Sequence, residues 1–325
     1  MYKSPFLILM CFMASYGLFS QSIPVILDTD ANNELDDQHA IAYMLFNSHI
    51  FDIQGITVNA THHGGALEKH LEEAQRVVNL CGYQSQVQVI PGASLDFKEV
   101  LPNLNQKQYD GHQAVEFIIA SAHQSRDQKL VVVPVGTLTN VALALAKDPS
   151  IAPKIRVVWL GSNWPHPGEY NLVNDTTAIN SVIDNRQLDF EICTVRYGEP
   201  SGTSAVLVSV DEIRQRMKGL GPELDQPLTG RHGGEFKNFG DYSIELFEKI
   251  GDEQRSLFDV CALAIIKNSR WAKPSKIPAP RLLGEDWIAR PENSHHIIFW
   301  EHFDKEAILS DFYRSMEEPE LAPVD

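Results

Sequence analysis

The stretch Asp28-Thr29-Asp30-Ala31-Asn32-Asn33-Glu34-Leu35-Asp36-Asp37 decides how the rest of the chain is read. Before it runs the apolar segment Ile23-Pro24-Val25-Ile26-Leu27, and after it Gln38-His39-Ala40-Ile41-Ala42-Tyr43-Met44-Leu45, with helical spacing. The order is a strand that ends, an acidic loop and a helix that begins. Four aspartates crowded into one loop repel one another unless a positive charge sits among them. A hard cation such as Ca2+ or Mg2+ takes oxygen ligands of this kind. Capping of the helix by Asp36 or Asp37 is the simpler alternative. It accounts for one carboxylate and leaves Asp28 and Asp30, at the end of a buried strand, without a reason. The stretch therefore predicts a metal site.

Working outward, strand-like runs alternate with helical ones. Phe51 to Asn59, Val87 to Ile90, Leu130 to Val135 and Ile155 to Leu160 read as strands. The last two are continuously apolar, as in strands buried on both faces. Leu67 to Leu80, Ala114 to His123 and Val141 to Ala146 carry helical spacing, the last with Thr139 as its expected N-cap. Ser94 to Gly111 reads as a loop of mixed polarity. Further on, the pattern predicts a helix over Asp175 to Asn185 and strands near Phe190 to Val195 and Val206 to Val210. Helices follow over Val210 to Met217, Tyr242 to Ile250 and Leu257 to Lys267, and a strand over His295 to Trp300. The fold class is α/β: a mostly parallel, doubly wound central sheet flanked by helices, forming one domain over residues 22–325. Ligands in such folds bind beyond the carboxyl ends of the strands. Asp30, Asn59, Val135-Gly136 and Asn163 all fall at such ends. Gly219 to Asp241, rich in Gly, Pro and charge, reads as a long loop beside the site or as a surface insertion.

The 43 acidic and 27 basic residues give a net charge of −16, which argues against a nucleic acid polymer as partner and permits a small cation and a neutral ligand. Lys3, the apolar run Pro5 to Ala14 and the small or polar residues up to Ser22 form the pattern of a signal peptide over residues 1–21. Export to the periplasm or beyond follows as an expectation. No later stretch is long enough for a membrane span. Cys81, Cys193 and Cys261 lie in apolar or helical patterns and read as buried free thiols.

These pieces, taken in order, resemble the inosine-uridine preferring nucleoside hydrolase family. The resemblance rests on Asp28-Thr29-Asp30, Asp36-Asp37, Ile56-Thr57-Val58, Pro134-Val135-Gly136-Thr137-Leu138-Thr139-Asn140, Asn163, Glu169-Tyr170-Asn171 and Asp259, and runs from about Pro24 to about Asn268. It implies a calcium-dependent N-ribohydrolase that separates a small-molecule nucleoside into base and ribose. Carried over by position, Asp30, Asp37, the Val135 carbonyl and Asp259 hold Ca2+. Asp36, Asn163, Glu169 and Asn171 hold the ribose hydroxyls, Asp30 is the general base, and Asp28 stands behind it. Relatives form dimers or tetramers, which leaves a homo-oligomer open. Elementary chemistry agrees: glycosidic cleavage develops positive charge on the sugar, which nearby carboxylates stabilise, and a carboxylate beside metal-bound water accepts its proton.

The chain departs from the family pattern in three places. The Ala31 to Leu35 loop is longer than the usual Pro-Gly version, so Asn32, Asn33 or Glu34 can add a ligand or reshape the mouth. The loop after the second strand aligns poorly, with Asn59 as its candidate. Where many members place a histidine that protonates the leaving base, this chain has Phe258, which can stack on a purine but has no proton to give. His62, His63, His166, Arg231 and His232 are the other donors available in sequence. Trp164 and Trp287 are candidates for the base pocket. Two alternatives therefore stand beside the main reading: a hydrolase of another ribosyl compound, and a non-catalytic calcium-dependent nucleoside-binding protein.

Overall fold

β-Branched, apolar runs build the centre of the fold, seen in a computed structural model that describes residues 22–125 and 127–322. The expected signal peptide, residues 1–21, lies outside the described residues. Eight strands form the main sheet: β1 (Ile23–Thr29), β2 (Phe51–Val58), β3 (Val89–Pro91), β4 (Leu130–Pro134), β5 (Ile155–Leu160), β6 (Asp189–Cys193), β7 (Lys273–Pro278) and β8 (His296–Glu301). Their spatial order is β7-β8-β6-β5-β4-β1-β2-β3, and every pairing is parallel except that of β7 with β8.

Alternation along the strands divides the core in two, as a pleat requires. Val25 and Leu27 of β1, Val131 and Val133 of β4, and Val158 and Leu160 of β5 face one hydrophobic layer. Ile26, Val132, Val157 and Trp159 face the other. Each layer is covered by helices, so the sheet is buried on both faces, which explains why its central strands carry almost no polar residue. From β1 the chain runs outward through β2 and β3, then crosses to β4 on the other side of β1. That reversal opens a crevice at the carboxyl ends of β1 and β4, the place where doubly wound sheets bind ligands. Asp28 sits in the middle of it, paired with Thr57 on one side and Pro134 on the other.

The predicted α/β architecture is the observed one, with local differences. The helix after the acidic loop begins earlier, at Asp36, and runs to Leu45. Its N-cap is Leu35, so neither Asp36 nor Asp37 serves as the cap. Thr139 is not an N-cap either: it lies inside the helix Thr139–Lys147 and donates from Oγ1 to Asp175. The expected loop from Ser94 contains a short helix, Phe97–Val100, started by reciprocal capping between Asp96 and Glu99. Gly219 to Asp241 folds as a small hairpin, Leu228–Thr229 against Glu235–Phe236, tied down by Arg76 Nε donating to the Thr229 carbonyl at 2.8 Å. The C-terminal region contributes more than its sequence pattern suggests: β7 and β8 extend the main sheet, and the helix Lys305–Glu317 packs beside the helices Asp36–Leu45 and Phe258–Lys267. Cys81, Cys193 and Cys261 are buried and free.

A buried ion pair locks that last helix beneath the site. Lys267 Nζ donates to Asp311 Oδ2 at 2.7 Å and to Asn47 Oδ1 at 2.6 Å, and the Tyr43 hydroxyl donates to the same Asp311 oxygen at 2.5 Å. Removing one member of a buried pair strands the other charge. Lys267→Ala is expected to lower the unfolding free energy by about 3–5 kcal/mol in urea titration. Arg214→Ala, which breaks an exposed pair with Glu248, is expected to cost less than about 1 kcal/mol.

Candidate active site

The carboxyl end of β1 delivers Asp28 and Asp30 into the crevice, and the following helix returns Asp36 and Asp37 to the same point. The helix Phe258–Lys267 brings Asp259 from the far end of the chain, in its first turn. One oxygen from each of Asp36, Asp37 and Asp259 lies within 4.8 Å of the others, and all three residues are buried. Asp30, Asp36, Asp37, Val135, Glu169, Asn171, Phe258 and Asp259 line a common cleft. All eight are residues that the sequence assigns to the site.

Local hydrogen bonds fix each carboxylate. Asp28 accepts from Thr57 Oγ1 at 2.7 Å, Asn140 Nδ2 at 2.8 Å and Asn59 Nδ2 at 3.2 Å. Asp37 Oδ1 accepts from the Thr29 hydroxyl and, at 3.2 Å, from the Asp30 amide. Asp30 Oδ2 accepts from Thr61 Oγ1 at 2.6 Å. Gly136 lets the backbone come close: a Cβ there would stand 2.7 Å from Asn59 Oδ1 and 2.9 Å from Asp30 Oδ1. Asp259 Oδ2 is buried with no partner.

Burial dominates the electrostatics. It pushes the carboxyls of Asp28 and Asp36 up to about 7, against hydrogen bonds that pull them down. Asp37 and Asp259 rise well above the usual carboxylate range, first by burial and then by repulsion from neighbouring aspartates. An uncompensated group of this kind suits a hard divalent cation, which offsets both desolvation and repulsion. The orphaned Asp259 oxygen is one of the donors such an ion would need.

Across the cleft, Glu169 caps the short helix Tyr170–Asn174. Its two oxygens accept from the amides of Asn171, Leu172 and Ser162, each at 2.9 Å. Three backbone donors on one carboxylate leave room for about one more hydrogen bond, such as a ligand hydroxyl. Burial lifts the Glu169 carboxyl to about 7. Asn171 spans two strand ends, donating from Nδ2 to the carbonyls of Val135 at 2.8 Å and Leu160 at 3.0 Å.

Asn163, which the resemblance assigns to the ribose, lies outside the cleft lining in this structure. Its Oδ1 accepts from the Tyr197 amide at 3.1 Å and its Nδ2 donates to the Pro167 carbonyl at 3.3 Å. Those bonds organise the turn after β5, the job expected of a turn asparagine. Asn59 also stays behind the lining, where it joins Asp28 to Thr137 at 3.3 Å. Of the long acidic loop, Asn33 and Glu34 reach the cleft, whereas Asn32 turns away to the Gly64 carbonyl at 2.6 Å. None of His62, His63, His166, Arg231 and His232 lines it, and neither does Trp164 or Trp287, which pack edge to face at 5.8 Å.

Sequence reasoning misses Arg255, Tyr170, Tyr197 and Thr61. Tyr170 stands inside the motif Glu169-Tyr170-Asn171, and Arg255 is a basic residue four positions before Asp259. That spacing is the one signal available for it.

A doubly wound sheet with buried carboxylates gathered at its topological switch point defines the class. The inosine-uridine preferring nucleoside hydrolase model matches residues 25–295, and the chain belongs to that family. A pyrimidine-specific ribonucleoside hydrolase of Escherichia coli is 30% identical over 183 residues, covering 49% of this chain and 55% of that protein. A probable ribonucleoside hydrolase of Dictyostelium discoideum is 26% identical over 199 residues, covering 52% and 57%. The chain thus spans about half the length of these relatives. Among solved structures, a plant nucleoside hydrolase superposes with a TM-score of 0.70 at 16% identity, over 91% of this chain and 99% of that one. A purine-preferring ribonucleoside hydrolase of Gardnerella vaginalis gives 0.67 at 20% identity, over 90% and 98%. At these identities the superpositions speak for the fold.

The carboxyls carry a prediction for metal-free protein. A carboxyl whose folded value lies above its unfolded value costs nothing at low pH and penalises folding increasingly as pH rises through both values. With chelator present, thermal stability should therefore fall between about pH 4 and somewhat above pH 7, set by Asp28, Asp36 and Glu169. A divalent cation should restore it, with the larger shift at the alkaline end. Thermal melts across pH with chelator and with calcium check this.

Proposed function

We propose that this chain is an exported, calcium-dependent hydrolase of the N-glycosidic bond of nucleosides, releasing base and ribose. The observation that carries the proposal is the common cleft of Asp30, the Asp36–Asp37–Asp259 cluster, Glu169 and Asn171 at the switch point of the sheet. Family membership supports the same chemistry, and relatives named for purine and for pyrimidine substrates make nucleosides the natural substrate class.

Asp30, Asp37, Asp259 and the Val135 carbonyl are the groups that would hold the ion. Calcium, when bound, supplies positive charge and makes bound water easier to deprotonate. Asp30 is assigned as the general base. Thr61 holds one of its oxygens and the Gly136 backbone packs under the other, so the carboxylate is oriented before a substrate arrives. The proton of the attacking water passes to Asp30 as the oxygen–C1′ bond forms. The C1′–N bond breaks and its electron pair leaves with the base. Asp36, Glu169 and Asn171, with Asn163 from the turn after β5, are assigned to the ribose hydroxyls, fixing the sugar and stabilising the charge that develops on its ring.

Phe258 favours one second reading, a nucleoside-binding protein without turnover, because the aromatic ring offers no proton to the departing base. The deciding measurement is base release from a panel of purine and pyrimidine nucleosides, with calcium and after chelation. Turnover should vanish on chelation and return with calcium. Asp30→Asn should lower kcat by about 10²- to 10⁴-fold while ligand binding persists. Calcium-dependent binding with no turnover of any nucleoside would overturn the hydrolase reading in favour of the binder.

A further inference from the structure

Once the proposed cleavage is granted, the departing base needs somewhere to put its electron pair. Phe258 has no acidic proton and no histidine lines the cleft. Apart from the carboxyls, which the proposed reading gives to the cation, the base and the ribose hydroxyls, the titratable donors that do are Tyr170, Tyr197 and Arg255. Burial raises both phenols above their usual range, which weakens them as acids.

Arg255 differs. It is the one basic side chain lining the cleft among the described residues. It comes from the short strand Gln254–Ser256, just before the helix that presents Phe258 and Asp259. Its Nη2 pairs with Glu34 and its Nη1 lies 3.7 Å from Asp252. Its guanidinium carbon sits 5.9 Å from the centre of the Phe258 ring. Arg255 Nε is buried with no partner. A guanidinium has five donors in a fixed plane, so a pairing at one edge orients the remaining N–H groups. Glu34 supplies that pairing from the loop that is longer than the family pattern. The extra residues and the lost histidine thus meet at one place.

We infer that Arg255 is a catalytic residue of this cleft: its guanidinium, held by Glu34 beside Phe258, stabilises the leaving base as an anion. This rests on the hydrolase reading above. In balanced form, the C1′–N bond breaks with both electrons going to the base nitrogen. The negative charge spreads to the acceptor next to that nitrogen, O2 of a pyrimidine or N3 of a purine. Arg255 donates to that acceptor without giving up its proton, and solvent protonates the base after release. The same contact serves either base class, because both carry an acceptor at that position. Phe258 adds a ring on which the base can stack.

The test compares substrates whose leaving groups differ in their need for help. Uridine and inosine release poor leaving groups, whereas p-nitrophenyl β-D-ribofuranoside releases a phenolate that is stable in water. In the full chain with calcium, Arg255→Gln should lower kcat/KM for the nucleosides by about 10²-fold or more, the scale for one preorganised donor. It should lower turnover of the nitrophenyl riboside far less, and that residual turnover also reports an intact fold. Arg255→Lys should recover part of the nucleoside rate, since it keeps the charge without the fork. Tyr197→Phe should show no such dependence on leaving group. Equal losses on both substrate types in Arg255→Gln, or a leaving-group-selective loss in Tyr197→Phe alone, would overturn the assignment while leaving the hydrolase reading intact. A wild-type protein inactive on the nitrophenyl riboside as well as on the nucleosides would overturn both.

Discussion

Mutual repulsion among buried carboxylates is the constraint on which this structure turns. Asp28, Asp30, Asp36, Asp37 and Asp259 converge where the sheet reverses direction, all within its low-dielectric interior. The chain answers with neutral donors: Thr57, Asn59 and Asn140 on Asp28, Thr61 on Asp30, Thr29 on Asp37. These bonds hold geometry without cancelling charge. Arg255, the basic side chain lining the cleft, is already engaged by Glu34. Burial that would only destabilise a merely structural cluster therefore keeps the site receptive to an added cation.

The acidic loop shows how an insertion can be absorbed around such a cluster. Asn32 is tied to the Gly64 carbonyl, and His70 Nδ1 lies 2.8 Å from the Asp30 carbonyl and 3.2 Å from the Asn32 amide. The His70 ring, buried on the helix Leu67–Leu80, thus packs against the turn that follows Asp30, where its Nδ1 serves one of the two groups at a time. The added length is taken up at the outer side, where Asn33 and Glu34 join the cleft wall. The aspartates on either side are positioned by the end of β1 and the start of the next helix rather than by the loop.

Much of this is legible in the sequence, for physical reasons that differ by element. Leu130 to Pro134 and Ile155 to Leu160 read as buried parallel strands because both their faces are apolar. Asp30, Asp36 and Asp37 read as a cluster because carboxylates crowded at the end of a buried strand repel one another unless a cation joins them. Thr139 is misread because capping is a local rule, whereas its hydroxyl answers to Asp175, far along the chain. Asn163 is harder to read because a turn asparagine and a ligand asparagine look alike until the Tyr197 amide is seen on its oxygen. Arg255 cannot be ranked from sequence, since its importance comes from Glu34 and Phe258 meeting it in space. The helix Lys305–Glu317 escapes notice because its anchors, Asn47, Tyr43 and Lys267, lie far away in the chain.

The two margins of the sheet bear on how this molecule meets its neighbours. At one margin β3 has only three residues and ends in Pro91. At the other, β7 runs antiparallel and carries Pro274, Pro278, Lys273 and Lys276. A short strand offers few free backbone groups. Prolines remove donors from the other edge, and lysines there resist a stacked copy of themselves. Both margins of the main sheet are thus poorly suited to continuing it from one copy into the next.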